Sequence, residues 1–298
     1  MKTVENSNKK LILFVIVSML TWGISWPSNK VLSNYGSAID LGVYRYLLVI
    51  LSMVFFFVFS KTSLKISKNG IVSVVVSGAL MAVYNFTFLS GLQYGNPGAG
   101  GILVTTLNPV FAYGIGALLA WEKPRINEQI GLLFGLIAGL FLLNIWKDFS
   151  VFKNLGNTFF FLSAFIWAVI SKINSKAADF GSPLAFSWWM YFATFLCLIP
   201  FANFHELKNM LSLNELKFWG NMLFSSVITT TLATTTYFIA TSRIGAEKAS
   251  SFIFLVPFTA GISAYFILGE TLKWNTIVGG LFGIVAVYML NRKKELKS

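Results

Sequence analysis

The chain repeats itself once, and each copy carries an odd number of apolar stretches. Pro109 recurs as Pro257 and Glu122 as Glu270, both 148 residues later. At the same offset Asn127, Gly131, Leu133, Phe134, Gly135 and Ala138 match Asn275, Gly279, Leu281, Phe282, Gly283 and Ala286. With five apolar stretches per copy, the second copy must enter a bilayer in the opposite orientation to the first. Inverted repeats of this kind enclose a site near the membrane mid-plane in secondary transporters. The repeat alone therefore points to transport.

Composition narrows the alternatives. Of 298 residues, 56% are hydrophobic and 11% charged, with mean hydropathy +0.71, against about 25% charged in soluble domains. Most of the surface must face something other than water. The single Cys197 lies in an apolar run, so no internal disulfide can form, and the single His205 lies in a polar joint. No cluster of metal ligands is available and no cofactor pattern is present, so a His-based catalytic site has almost nothing to work with. A net charge of +12 could suggest nucleic acid as partner. The basic residues, however, sit in the short joints between apolar runs, where they report topology.

A span needs roughly 20 mostly apolar residues. Ten segments qualify: 11–32, 41–60, 71–93, 98–121, 128–146, 156–174, 183–203, 218–242, 248–269 and 274–291. Two repeats follow, 11–146 and 156–291, divided by a polar joint near 147–155. Ten spans place both termini on one side. If that side is the cytoplasm, 16 of the 23 basic residues lie inside. The other seven are Lys147, Lys153, Lys208, Lys217 and Lys273 in loops, with Lys30 and Arg45 near the outer helix ends. This split predicts cytoplasmic N and C termini in a cell membrane. Lys9 and Lys10 ahead of an apolar core imitate a secretory signal, but no small-residue cleavage site follows, so an uncleaved helix is expected.

Trp22-Gly23, Tyr44-Arg45-Tyr46, the small residues Gly95 to Gly101, Leu107-Asn108-Pro109 and Trp121-Glu122 form a pattern in the first copy. The second copy answers with Trp167, Ile244-Gly245-Ala246, Val256-Pro257 and Leu268-Gly269-Glu270. This pattern resembles the drug/metabolite transporter superfamily, in its ten-helix branch of two EamA repeats. The resemblance implies an all-α integral membrane fold, a basket of ten helices. Helices 1, 3, 4, 6, 8 and 9 would line a central cavity, and helices 5 and 10 would pack outside it. It does not imply one substrate, because one scaffold serves many. Where Arg45 stands in the first copy the second has Met190, so an asymmetric site is expected.

The candidate binding residues are Trp22, Trp26, Tyr84, Asn85, Asn108, Trp167, Thr234 and Tyr237. Trp22, Trp26 and Lys30 share one helix face with Asn29 beside them, and Lys30 is expected to snorkel outward towards Asp40. Pro27 should kink its helix about Gly23 and free a carbonyl. Asn85 lies mid-span and must face the interior to find a partner, either another helix or a ligand. Asn108 either does the same or caps the break made by Pro109. Trp167 is the counterpart of Trp22. The run Thr229–Thr236 places hydroxyls all round its helix, most of them bonding back to helix carbonyls, with Thr234 and Tyr237 as the cavity candidates. Pro27, Pro109 and Pro257 are the expected hinges.

Three further signals have plainer readings. Gly95 to Gly101 lacks the Gly-Lys-Ser/Thr of a nucleotide-binding loop and reads as a tight turn. Gly131, Gly135 and Gly139, with Gly279 and Gly283, are small-xxx-small ridges that let helices approach, within one chain or between protomers. Glu122 and Glu270 fall at helix ends and read as boundaries. With no acid inside helix 1, 3, 6 or 8, the expected substrate is a small uncharged or zwitterionic metabolite held by aromatic faces, amides and hydroxyls. Export of amino acids or related compounds by alternating access is the expected activity. Proton coupling and the choice between monomer and homodimer stay open. The rival readings are a non-transporting scaffold or lipid flippase subunit and an intramembrane enzyme, which would need converging nucleophiles, bases or metal ligands.

Overall fold

The structure, a computed structural model, describes residues 2–95, 97–121, 123–146, 154–268 and 274–291. Glu122, Glu270, Asn96 and the joint at 147–153 lie outside these. Among the described residues the fold is helical, with one isolated bridge between Ile66 and Gly181. In the first half α1 (Lys2–Leu32), α2 (Ala38–Ser60), α3 (Lys68–Tyr94), α4 (Pro97–Ala120) and α5 (Ile126–Leu143) follow each other. The second half opens with α6 (Leu155–Asn174), a short α7 (Ala177–Phe180) and α8 (Pro183–Leu198). A short α9 (Phe204–Leu211) precedes α10 (Leu216–Leu223), which runs through a π-helical stretch, Phe224–Thr234, into α11 (Thr235–Ile244). Then α12 (Ala246–Ser251) passes through a 3-10 turn, Phe252–Leu255, into α13 (Val256–Leu268), and α14 (Trp274–Asn291) ends the described chain.

Eight helical stretches among the described residues are long and apolar enough to cross a membrane. The ninth expected segment is the broken helix 246–268, and the tenth is α14, of which 277–291 is a shorter apolar helix. Large apolar side chains such as Phe59, 83% exposed, and Leu118, 76% exposed, point away from the bundle. A soluble protein rarely presents so extended an apolar face, so lipid is the solvent for this surface. The protein is a multi-pass membrane protein.

Helix packing has an internal correspondence. Helix α3 packs on α6 as the π stretch packs on α1; α4 packs on α6 as α13 packs on α1; α3 meets α8 as the π stretch meets α2. The pair α5 and α14 is its own counterpart. Glycines permit these close approaches within the chain. A Cβ on Gly131 would meet Leu290, one on Gly135 would meet Phe254, and one on Gly139 would meet Thr106.

The polar joint that holds His205 folds into α9, because Asn203 caps it by accepting from the amides of His205 and Glu206. Asp40 holds that cap in place: its carboxylate accepts from the Asn203 amide at 2.8 Å and from the Ser37 hydroxyl at 2.6 Å. Lys30 therefore does not reach Asp40. Its Nζ donates to the Leu92 carbonyl at 2.6 Å, which satisfies a carbonyl at the end of α3.

The proline breaks are handled in three ways. Helix α1 continues through Pro27, and the freed carbonyl of Gly23 accepts from Ser263 Oγ of α13 at 3.2 Å. The same glycine lets the two helices touch, since a Cβ there would sit 2.0 Å from Thr259 Oγ1. Helix α4 also runs on through Pro109. Before Pro257 the chain tightens into the 3-10 turn, and the Val256 amide reaches the Ile253 carbonyl that Pro257 cannot serve.

Candidate functional site

One cavity of about 70 Å³ lies where the two halves meet, room for about five waters at ~10–15 Å³ each. Helix α1 supplies Trp22, Ser25, Trp26 and Asn29, and α2 adds Arg45 and Tyr46. Helices α3 and α4 contribute Met81, Tyr84, Phe88, Val104, Thr105 and Asn108. From the second half come Trp167, then Ser225, Thr229, Thr230 and Thr234, then Ile253 and Val256. Helices α5 and α14 contribute nothing to it. Helix α2 does, which the family resemblance did not imply.

The aromatic wall is built across the halves. Trp22 and Trp167, at corresponding positions, meet edge to face with centroids 5.2 Å apart. Tyr84 lies 4.7 Å from Trp167 and 5.7 Å from Phe88, and Phe88 lies 5.0 Å from Trp26. Trp22 Nε1 donates to Thr234 Oγ1 at 3.2 Å, tying α1 to the π stretch. Such pairs contribute roughly 0.5–1.5 kcal/mol each beyond area burial.

The hydroxyl wall exists because the helix changes pitch. Thr230, Thr234 and Thr235 donate to carbonyls five residues earlier, those of Ser225, Thr229 and Thr230. The wider turn of i→i+5 bonding brings Ser225, Thr229, Thr230 and Thr234 to one side. An ordinary α-helical wheel scatters these four, so sequence reading singled out Thr234 and passed over the rest. A run of threonines able to bond back to the backbone is the signal that could have suggested the altered pitch.

Six of the eight candidate binding residues thus share one cavity: Trp22, Trp26, Tyr84, Asn108, Trp167 and Thr234. The other two stand one layer behind. Tyr237 is fully buried, with its ring 5.1 Å from Trp22 and its hydroxyl 3.0 Å from Ser171 Oγ. Asn85 is fully buried between helices; its Nδ2 donates to the Ala38 carbonyl at 2.9 Å and its Oδ1 accepts from Arg45 Nη1 at 3.4 Å. Asn108 does not cap its own helix: Nδ2 donates to the Ala164 carbonyl at 3.1 Å, while Oδ1 has no partner.

Arg45, read from the sequence as lying near the outer end of its helix, does not face outer water. It is 6% exposed on the cavity wall, where its Nη2 donates to Asn29 Oδ1. Asn29 Oδ1 also accepts from Ser225 Oγ at 2.9 Å. Beyond Tyr237, Lys172 and Glu247 form an ion pair of 2.6 Å between the end of α6 and the start of α12. Its side chains are a quarter exposed, so it contributes at most about 1 kcal/mol. It ties two helices of the second half together and does not bridge the two halves.

Comparison with known proteins agrees with this architecture. An uncharacterized transporter of Archaeoglobus fulgidus is 24% identical over 97% of this chain and 99% of its own length. A WAT1-related chloroplastic protein of Arabidopsis thaliana is 24% identical over 91% of this chain and 66% of its own. The uncharacterized transporter YetK of Bacillus subtilis is 23% identical over 76% of this chain and 70% of its own. A crystal structure of a protein superposes with a TM-score of 0.71, covering 95% of this chain and 97% of that one at 16% identity, a likeness of fold alone. Residues 9–145 and 154–292 each match the EamA-like transporter family, and the chain belongs to that family.

Proposed function

We propose that this protein is a secondary transporter that exports amino acids or related small uncharged or zwitterionic metabolites by alternating access. Its units are the inverted repeats 11–146 and 156–291, crossing the membrane ten times with both termini in the cytoplasm. The observation that carries this reading is the shared cavity: corresponding tryptophans, Trp22 and Trp167, close on each other at 5.2 Å from opposite halves. A space of about 70 Å³ suits a compact metabolite, and passage requires the halves to rock apart. Pro27, Pro109 and Pro257 each remove one helix hydrogen bond, and these are where such rocking would bend the chain. The paired helix contacts of the two halves support the repeat reading.

Two measurements test it. Purified protein in liposomes is expected to move at least one labelled amino acid, with sidedness giving direction; absence of flux for every amino acid removes that substrate class. In a Cys197→Ser background, Tyr94→Cys and Lys248→Cys are expected to react with an impermeant thiol reagent from opposite faces of the membrane. Both native side chains are exposed, so labelling from one face only would defeat the inverted arrangement.

A further inference from the structure

Burying a guanidinium is costly unless a counter-charge and hydrogen bonds compensate it. Arg45 is buried, and among the described residues no carboxylate pairs with it. The nearest acid along its helix, Asp40, is committed to Ser37 and the Asn203 amide. Of its five N–H donors, one meets Asn29 and one meets Asn85 at a long 3.4 Å, while the buried Nε has no partner. Both acceptors are neutral amides, so the positive charge is left unbalanced beside an open space.

The second half shows that the scaffold does not need this charge. Trp22, Asn29 and Arg45 correspond to Trp167, Asn174 and Met190. The Asn29–Arg45 contact is reproduced as Asn174 Nδ2 to Met190 Sδ at 3.5 Å, and Met190 is fully buried. An apolar thioether therefore fills the same slot and packs the same neighbour. The same asymmetry recurs on the cavity wall, where Thr105 and Asn108 of α4 correspond to Ile253 and Val256. At these three pairs of positions the first half is polar and the second apolar, while the second half supplies hydroxyls from Ser225, Thr229, Thr230 and Thr234.

We infer that Arg45 is the docking group for a substrate carboxylate, and that the cavity takes monocarboxylates whose apolar portion lies against Trp22, Trp26 and Tyr84. The inference rests on reading this cavity as the transport site; it keeps the zwitterions, drops the uncharged compounds and adds simple carboxylate anions to the substrate class. A guanidinium presents a planar fork matched to the two oxygens of a carboxylate. Arg45 is the one charged residue among those lining the cavity, so a single negative charge is balanced and a phosphate dianion is not. Asn108 Oδ1 and Thr229 Oγ1, both unpartnered on the same wall, can accept from an ammonium or amide N–H of the same molecule.

Matched acid and amide pairs test it in liposomes: leucine against leucinamide, phenylalanine against phenylalaninamide, 3-phenylpropionate against 3-phenylpropionamide, with uridine as an uncharged control. Wild-type protein is expected to carry at least one acid about 30-fold or more better than its amide. Arg45→Met, which copies the Met190 environment, is expected to reduce that ratio to near unity, and Arg45→Lys to retain part of it. Amides carried as well as acids, or an Arg45→Met protein that keeps the preference, overturns the inference. The wild-type ratio decides even where Arg45→Met fails to insert. Uridine flux without flux of any acid removes this inference and leaves transport standing; no flux of any compound removes both.

Discussion

Trp22→Ala is expected to abolish transport, by at least about 30-fold, while leaving an inserted and folded protein. The indole touches Trp167 and Tyr237 and donates to Thr234, so it joins both halves at the cavity. A fully buried Trp→Ala change costs roughly 3–5 kcal/mol of stability. Trp22 is half-buried and faces space that already exists, so its removal enlarges a cavity instead of creating one, and the stability loss should fall below that range. Trp22→Phe keeps a ring against Trp167 but loses the N–H donor, a bond of about 0.5–1.5 kcal/mol, and should lose flux several-fold only. Flux assays beside thermal unfolding in detergent separate the outcomes. Unchanged flux would show that the indole is wall and nothing more, and unfolding of the alanine variant would show that packing is its main role.

Gly156→Val is expected to prevent accumulation of folded protein. A Cβ at this position would sit 2.4 Å from both the Cα and the amide nitrogen of Gly95. Those are backbone atoms, so no rotamer change relieves the clash. Overpacking costs about 1–3 kcal/mol where side chains can shift, and here the start of α6 must leave the end of α3. A comparison glycine sharpens the test. Gly114 lies within α4 and a Cβ there meets nothing within 4 Å, so Gly114→Ala should be neutral or gain up to about 1 kcal/mol from helix propensity. Monodispersity and melting temperature of the two variants are the measurements. Equal behaviour would mean that the Gly95–Gly156 approach has room for a side chain.

The two changes also show where reading the sequence stops. Apolar length and periodicity are local properties, so the helices α2 to α6, α10 to α11 and α14 were legible within a few residues. Helix α1 was legible at its C-terminal end but begins nine residues earlier than its apolar run, at Lys2, and α8 was legible at its start but ends at Leu198. The small-xxx-small glycines of α5 announced a close helix contact, and the structure places it within the chain, against Leu290, Phe254 and Thr106. The contact of Gly156 with Gly95 carries no such spacing, because it joins residues far apart in the chain at two helix ends. Likewise Trp22 and Trp167 were found as repeat partners, but their edge-to-face meeting depends on how α1 and α6 converge.

Sequence by itself determined the membrane character, the duplication and the aromatic candidates, since each is written in composition or in residues repeated at a fixed offset. Tertiary structure alone decided the rest. It rewound Phe224–Thr234 so that Ser225, Thr229 and Thr230 joined Thr234, and it set Asn85 and Tyr237 behind the cavity. It also turned Arg45 inward, away from the water its charge would otherwise seek. The physical reason is common to all three. Helix pitch, burial and the facing of a side chain depend on neighbours supplied by other helices, and no window of sequence contains them.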